Sequence, residues 1–86
     1  MKWFKITIPP EASDEPASLV GMFDDLFIAG AEPKNTALFS SETDANTYYV
    51  CATEHSIGYI RLLIESYNAS ECHKPSEKLT LTAGKE

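Results

Sequence analysis

Two cysteines and two histidines carry the most distinctive chemistry in this 86-residue chain. Structural zinc needs four ligands in a tetrahedron, usually supplied as spaced pairs from tight turns. Cys51 and His55 have a plausible spacing for one pair, but Cys72 and His73 are adjacent, which makes it awkward for both to bind one ion. We therefore expect no metal site and no cofactor.

Cys51 and His55 are also the pair best suited to nucleophilic catalysis, because a thiolate needs a nearby base. Glu54 is placed to orient the imidazole. No glycine-rich oxyanion turn or cysteine-protease signature accompanies them. Asp24 and Asp25 form a carboxylate pair, but consecutive helical residues diverge by about 100° and do not share a site. We expect a protein that is not an enzyme.

The elements that position these residues follow from the hydrophobic pattern. Short apolar or alternating runs predict four strands, and apolar residues recurring every three or four positions predict two helices. The predicted order is strand 3–8, helix 14–30, strands 37–41 and 47–53, helix 56–67 and strand 78–82. This order predicts a βαββαβ arrangement, with a four-stranded antiparallel sheet and two helices on one face. We expect one α+β domain over residues 1–82 and a frayed tail over 83–86.

Side-chain alternation divides the first strand between a helix-covered face and an open face. Phe4, Ile6 and Ile8 are predicted to face the helices, and the alternate positions, including Trp3 and Lys5, face the open side. The first strand is therefore expected to contribute both to the core and to a binding surface.

The middle strands are less regular. Leu38 and Phe39 are both apolar, so the facing of the second strand stays open. In the third strand Tyr48 is assigned to the core, and Tyr49 and Cys51 to the open face. A register error of one residue would exchange these two sets.

The last strand is expected beside the first, with Leu79 and Leu81 facing inward. The open face would then carry a single patch that is aromatic and mildly basic. Its candidate binding residues are Trp3, Lys5, Tyr49 and Lys78.

The order of elements resembles the ferredoxin-like fold over nearly the whole chain. Within that fold, RNA-recognition motifs stack bases on aromatic residues of the two central strands, where Trp3 and Tyr49 lie. Residues 46–51, which lead into the third strand, lack the Arg/Lys-Gly-aromatic opening of that family, and the formal net charge is −6. Direct nucleic-acid binding is therefore not expected. ACT-like and dimeric α+β-barrel proteins instead associate through the open sheet, and this resemblance implies self-association.

The negative charge is concentrated in the first half of the chain, where the segment from Glu11 to Asp44 contains eight carboxylates and one cation, Lys34. Either the acids form a solvated helix surface or they bind a basic partner. The candidates for the acidic surface are Glu11, Asp14, Glu15, Asp24 and Asp25.

The expected function is a small non-enzymatic protein-protein interaction or regulatory module, and self-association through the open sheet face is one form that this interaction would take. The alternative is an acidic inhibitor, as some phage-encoded proteins are, that blocks a basic site on a nucleic-acid-handling partner. No apolar run is long enough to cross a membrane, and no secretory signal is recognised, so a cytoplasmic location is expected. The expected partner is another protein or a second copy of the chain.

Overall fold

The computed structural model describes residues 1–12, 14–28 and 36–84, and at positions 26–28, 59 and 84 it describes the backbone alone. These residues form β1 (Lys2–Thr7), α1 (Glu15–Ile28), β2 (Ala37–Ser41), β3 (Thr47–Ala52), α2 (Glu54–Ser66), β4 (Ser70–Cys72) and β5 (Leu79–Gly84). Gly30, where the first helix is predicted to end, lies outside the described residues. Neither α1 nor α2 is long and apolar enough to cross a bilayer.

The five strands form one antiparallel sheet in the order β4-β1-β3-β2-β5. The predicted α+β class is confirmed, but the predicted count of four strands is wrong. Residues 70–72, expected in a loop, form β4 beside β1, and the last strand pairs with β2 at the opposite edge. A strand of three residues is too short to show a periodic pattern, which is why the sequence does not reveal it.

One face of the sheet packs against α1 and α2. Its fully buried side chains come from the sheet (Ile6, Leu38 and Val50), from α1 (Leu19 and Phe23) and from α2 (Ile60 and Leu63). Tyr48 packs against this cluster and Tyr49 does not, so the predicted facing of the third strand is confirmed. The helix-covered face is a conventional apolar core.

A second apolar cluster lies on the opposite face of the sheet, formed by Trp3, Ala37, Phe39, Tyr49 and Cys51. We call it the second face. The rings of Trp3 and Phe39 stack with centroids 5.6 Å apart. Since these side chains are buried, the prediction of an open sheet face is wrong.

The cover of the second face is the crossover segment, residues 73–78, which connects the end of β4 to the start of β5. These strands lie at opposite edges of the sheet, so the connection must cross it. Tyr49, which belongs to the second face, donates a hydrogen bond to Glu77, which places the segment over that face. A sheet covered on both sides also explains why β2 has adjacent apolar residues, Leu38 and Phe39.

A register shift in β5 moves its apolar side chains from one face of the sheet to the other. Phe39 pairs with Leu81 and Leu38 with Ala83, so Thr82 is an extra residue in the ladder. Leu79 consequently packs against the second face, and Leu81 is 51% exposed; the prediction that both face the helix core is wrong. Ala83 joins that core instead, and β5 extends to Gly84, two residues beyond the predicted domain boundary.

Candidate functional site

The two cysteines lie on either side of Trp3. Cys51 of β3 and Cys72 of β4 both pair with this residue, so β1 separates them by two strand spacings, about 10 Å. Neither cysteine forms a disulfide within the described part of the chain. Burial raises the pKa of Cys72, which lowers its thiolate fraction and therefore its reactivity. No group of three metal-ligating side chains occurs in the described part of the chain.

The structure places Cys51 and the helix bearing His55 on different sides of the sheet. Cys51 is buried on the second face, whereas α2 packs on the face that includes Ala52. His55 lies in the first turn of α2 and is exposed. Nucleophilic catalysis would need the thiol and its base on the same face of the sheet. Cys51 and the helix that carries His55 do not meet this requirement.

Trp3 and Tyr49 occupy the face to which they were assigned, but as core residues rather than as a binding surface. Trp3 is 8% exposed and Tyr49 is 7% exposed. Burial raises the pKa of the Tyr49 hydroxyl, and the neighbouring Glu77 carboxylate raises it further. Neither ring is accessible to a base or to a partner protein while the crossover segment is in place.

The two candidate lysines are both exposed but lie apart in the sheet. Lys5 is in β1, next to the β4 edge. Lys78 precedes β5, which lies three strands from β1. The predicted single patch containing both lysines is therefore wrong, because the last strand pairs with β2 rather than with β1.

Glu77 is the principal residue that the sequence analysis missed. Its carboxylate accepts hydrogen bonds from the hydroxyls of Ser41, Thr43 (3.2 Å) and Tyr49 (3.3 Å). The bond from Ser41 contributes most to lowering the pKa of Glu77, and the bonds from Thr43 and Tyr49 lower it further. Glu77 thus ties the crossover segment to β2, β3 and the turn between them. The adjacent apolar residues of β2 were the available signal that something covers the second face.

The acidic candidates do not form one array. Glu11, Asp14, Glu15, Asp24 and Asp25 are all exposed. Glu15 and Asp24 are nine positions apart in α1, or about 14 Å at the rise of a helix, and Asp25 points about 100° away from Asp24. DNA presents one phosphate per strand about every 3.4 Å of its axis. The spacing of these carboxylates gives no specific support to mimicry of a nucleic acid.

The two edges of the sheet differ strongly. β4 has three residues, includes Glu71, and carries an ion pair in which Lys2 Nζ lies 3.9 Å from Glu71 Oε1. β5 has six residues, Leu79–Gly84, with neither a charge nor a proline among them. Natural proteins protect sheet edges with short strands, charges or prolines. β4 has two of these protections, while β5 relies on its register shift and exposes Leu81.

The candidate functional site is therefore the outer edge of β5, which has no neighbouring strand in the described sheet. It presents a ladder of backbone donors and acceptors beside an exposed leucine side chain. Comparison of the chain with protein-family models, with curated proteins and with solved structures finds no significant match.

Proposed function

We propose that this protein is a non-enzymatic interaction module that associates with a second copy of itself through the edge of β5. The observation that carries the proposal is an uncharged six-residue edge strand with Leu81 half exposed. Strand addition at such an edge derives its affinity from main-chain hydrogen bonds and its specificity from alternate side chains.

A second copy suits this edge because the strand is self-complementary. In a two-fold pair, β5 would run antiparallel to its counterpart, and the two sheets would join into one. No like charges would face each other within the paired segment, although each chain carries a net charge of −6. Pairing would also cover Leu81 and so add buried apolar area to a domain whose core is small.

The fold assignment belongs to the same proposal. The first six elements, β1 to β4 with the two helices, follow the βαββαβ order, and their strands lie in the order β4-β1-β3-β2. We propose a ferredoxin-like core in which the short β4 takes the position beside β1 and β5 is added at the other edge.

The test is the molar mass by light scattering at several concentrations, with Leu81→Lys beside the unmodified chain. Lysine is a residue with which natural proteins protect an edge strand, so L81K should remain monomeric where the unmodified chain shifts toward a dimer. Leu62→Lys is the matched control, because Leu62 lies on α2 and is 70% exposed.

Two results would contradict the proposal. One is a mass for the unmodified chain that stays monomeric at every concentration. The other is an equal loss of association in L62K, which would place the contact outside β5.

A further inference from the structure

A cleft of about 520 Å³ lies at the end of the sheet where β1 continues beyond β4. It is bounded by the end of β1, the chain that follows it, the first turn of α1 and the end of α2. It is separate from the β5 edge, because β1 and β5 lie three strands apart. Neither the fold nor the association through β5 accounts for it.

Among the described residues, the backbone N–H and C=O of Thr7 have no hydrogen-bond partner on the side of this cleft. The neighbouring Ile8 donates its N–H to the carbonyl of Asn46, 2.8 Å away on the side of β3. Because backbone groups alternate along an antiparallel strand, the N–H and C=O of Thr7 point the other way, toward the side of β4. The pairing of β4 with β1 ends at Lys5 and Ser70, two residues short of Thr7.

The reason that β4 stops short lies in the end of α2. The N–H of Ala69 bonds the carbonyl of Ile64 (2.9 Å), and the N–H of Asn68 bonds that of Glu65 (3.3 Å), a Schellman motif. Asn68 takes a φ of 51°, in the left-handed region. The chain next to Thr7 is thereby held in a helix cap and does not extend the strand.

The charge in the cleft is negative on the side of the helices. Glu15 lines it, and the last turn of α2 has no basic side chain to offset the carbonyl ends of the helix. Burial raises the pKa of Tyr67, which also lines the cleft, and Glu15 raises it further.

Lys5 lines the cleft as well, but its positive charge also interacts with two carboxylates outside the cleft, Glu77 and Asp44. The pKa of Glu77 is lowered mainly by the hydroxyl of Ser41, and that of Asp44 mainly by the amide of Asn46; the ammonium of Lys5 lowers both further. The ion pair found among the described residues joins Lys2 to Glu71, so within that part of the chain the Glu15 carboxylate has no ion-pair partner.

We propose that the cleft binds an extended peptide segment of a partner protein that carries a lysine or arginine side chain. The segment continues the line of β4 along β1, exchanges main-chain hydrogen bonds with Thr7, and places its cationic group beside Glu15. Ser66, Tyr67 and Asn68, at the end of α2, line the same cleft.

The probe is a short peptide of alternating valine and threonine with a central arginine, blocked at both ends and labelled with fluorescein. Its binding is followed by anisotropy and by the amide NMR shifts of Thr7, Tyr67 and Asn68. We expect saturable shifts at these residues, and weaker binding of the same peptide with glutamate at its centre.

Glu15→Gln should weaken the binding of the arginine peptide about two- to five-fold, as expected for an exposed ion pair. Asp24→Asn is the matched control, since it removes an exposed carboxylate from the same helix and should leave the affinity unchanged.

The hydrogen bonds are tested separately. Thr7→Pro removes the N–H that faces the cleft without removing a bond to β3, and should weaken binding about two- to ten-fold. An ester in place of the probe amide that donates to the Thr7 carbonyl removes the companion hydrogen bond of the same residue, and it does so in the unmodified protein, whether or not T7P folds.

The proposal is overturned if the shifts are absent from the cleft, if the glutamate peptide binds equally well, or if D24N weakens binding as much as E15Q. It is also overturned if the peptide shifts β5 alone. Because L81K affects the mass of the protein and E15Q affects peptide binding, the failure of one proposal is distinguishable from the failure of the other.

Discussion

The two faces of the sheet are both covered, but in different ways. The helix-covered face is closed by aliphatic and aromatic side chains from α1 and α2. The second face is closed by a smaller cluster and by the crossover segment, residues 73–78, in which Glu77 meets three hydroxyl groups. The difference teaches that a short polar segment suffices to cover a sheet face when a carboxylate fixes it. The edges of the sheet are then the surfaces through which we propose that partners bind.

The largest expected effect is the loss of Trp3. Removing a buried Trp side chain costs about 3 kcal/mol or more, so Trp3→Ala should lower the free energy of unfolding by that amount in urea titrations. Leu62→Ala is the control, because a surface substitution changes this quantity by about 0.5 kcal/mol or less. If Trp3→Ala were as mild as the control, the second face would be open after all.

A smaller loss of stability is expected from a substitution at the end of α2, on the helix-covered face. Asn68→Ala places a Cβ-bearing residue without a local side-chain hydrogen bond at a φ of 51°, which should cost about 1 kcal/mol of stability. Asn68→Gly keeps the left-handed conformation and should be close to neutral. Equal stabilities of the two variants, measured by thermal unfolding, would argue against the Schellman motif.

Removal of the Glu77 charge should loosen the second face selectively. Glu77→Gln replaces an acceptor of three hydrogen bonds by an amide, so the fluorescence of Trp3, the single tryptophan, should shift to the red. Far-ultraviolet circular dichroism should change less, because the helices pack on the other face. Glu65→Gln, an exposed position on α2, provides the control. An unchanged Trp3 spectrum in E77Q would show that Glu77 does not hold the cover.

Acid should produce the same loosening in the unmodified chain. Because the folded state lowers the pKa of Glu77, its contribution to stability is complete at neutral pH and is lost as the pH falls below about 4.3 toward the folded pKa. Asp44, whose pKa is lowered chiefly by the backbone N–H of Asn46, acts in the same direction. Trp3 emission should therefore change at a higher pH than the helical signal. Coincident transitions would indicate that the two faces open together.

Much of the fold was predictable from periodicity. The period of two along the first strand correctly assigned Ile6 and Ile8 to the helix-covered face and Trp3 to the opposite face, and the same rule separated Tyr48 from Tyr49. These predictions succeed because a side-chain period of two follows directly from strand geometry.

The strand order and the cover of the second face were not predictable in the same way. β4 has three residues and no periodic signal, so its place beside β1 was given to the last strand. The role of Glu77 depends on hydroxyls that are 28 or more positions away in the chain, which no local pattern contains. The adjacent apolar residues Leu38 and Phe39 were the one local hint, since a strand buried on both faces loses its alternation.

The most direct test of the central claim, that association occurs at the β5 edge because both faces are closed, is amide hydrogen exchange measured by NMR at several protein concentrations. We predict that protection of β5 amides rises with concentration, while the amides of β4 and the fluorescence of Trp3 stay constant. Protection that is independent of concentration along β5, or that rises at β4 instead, would contradict the account.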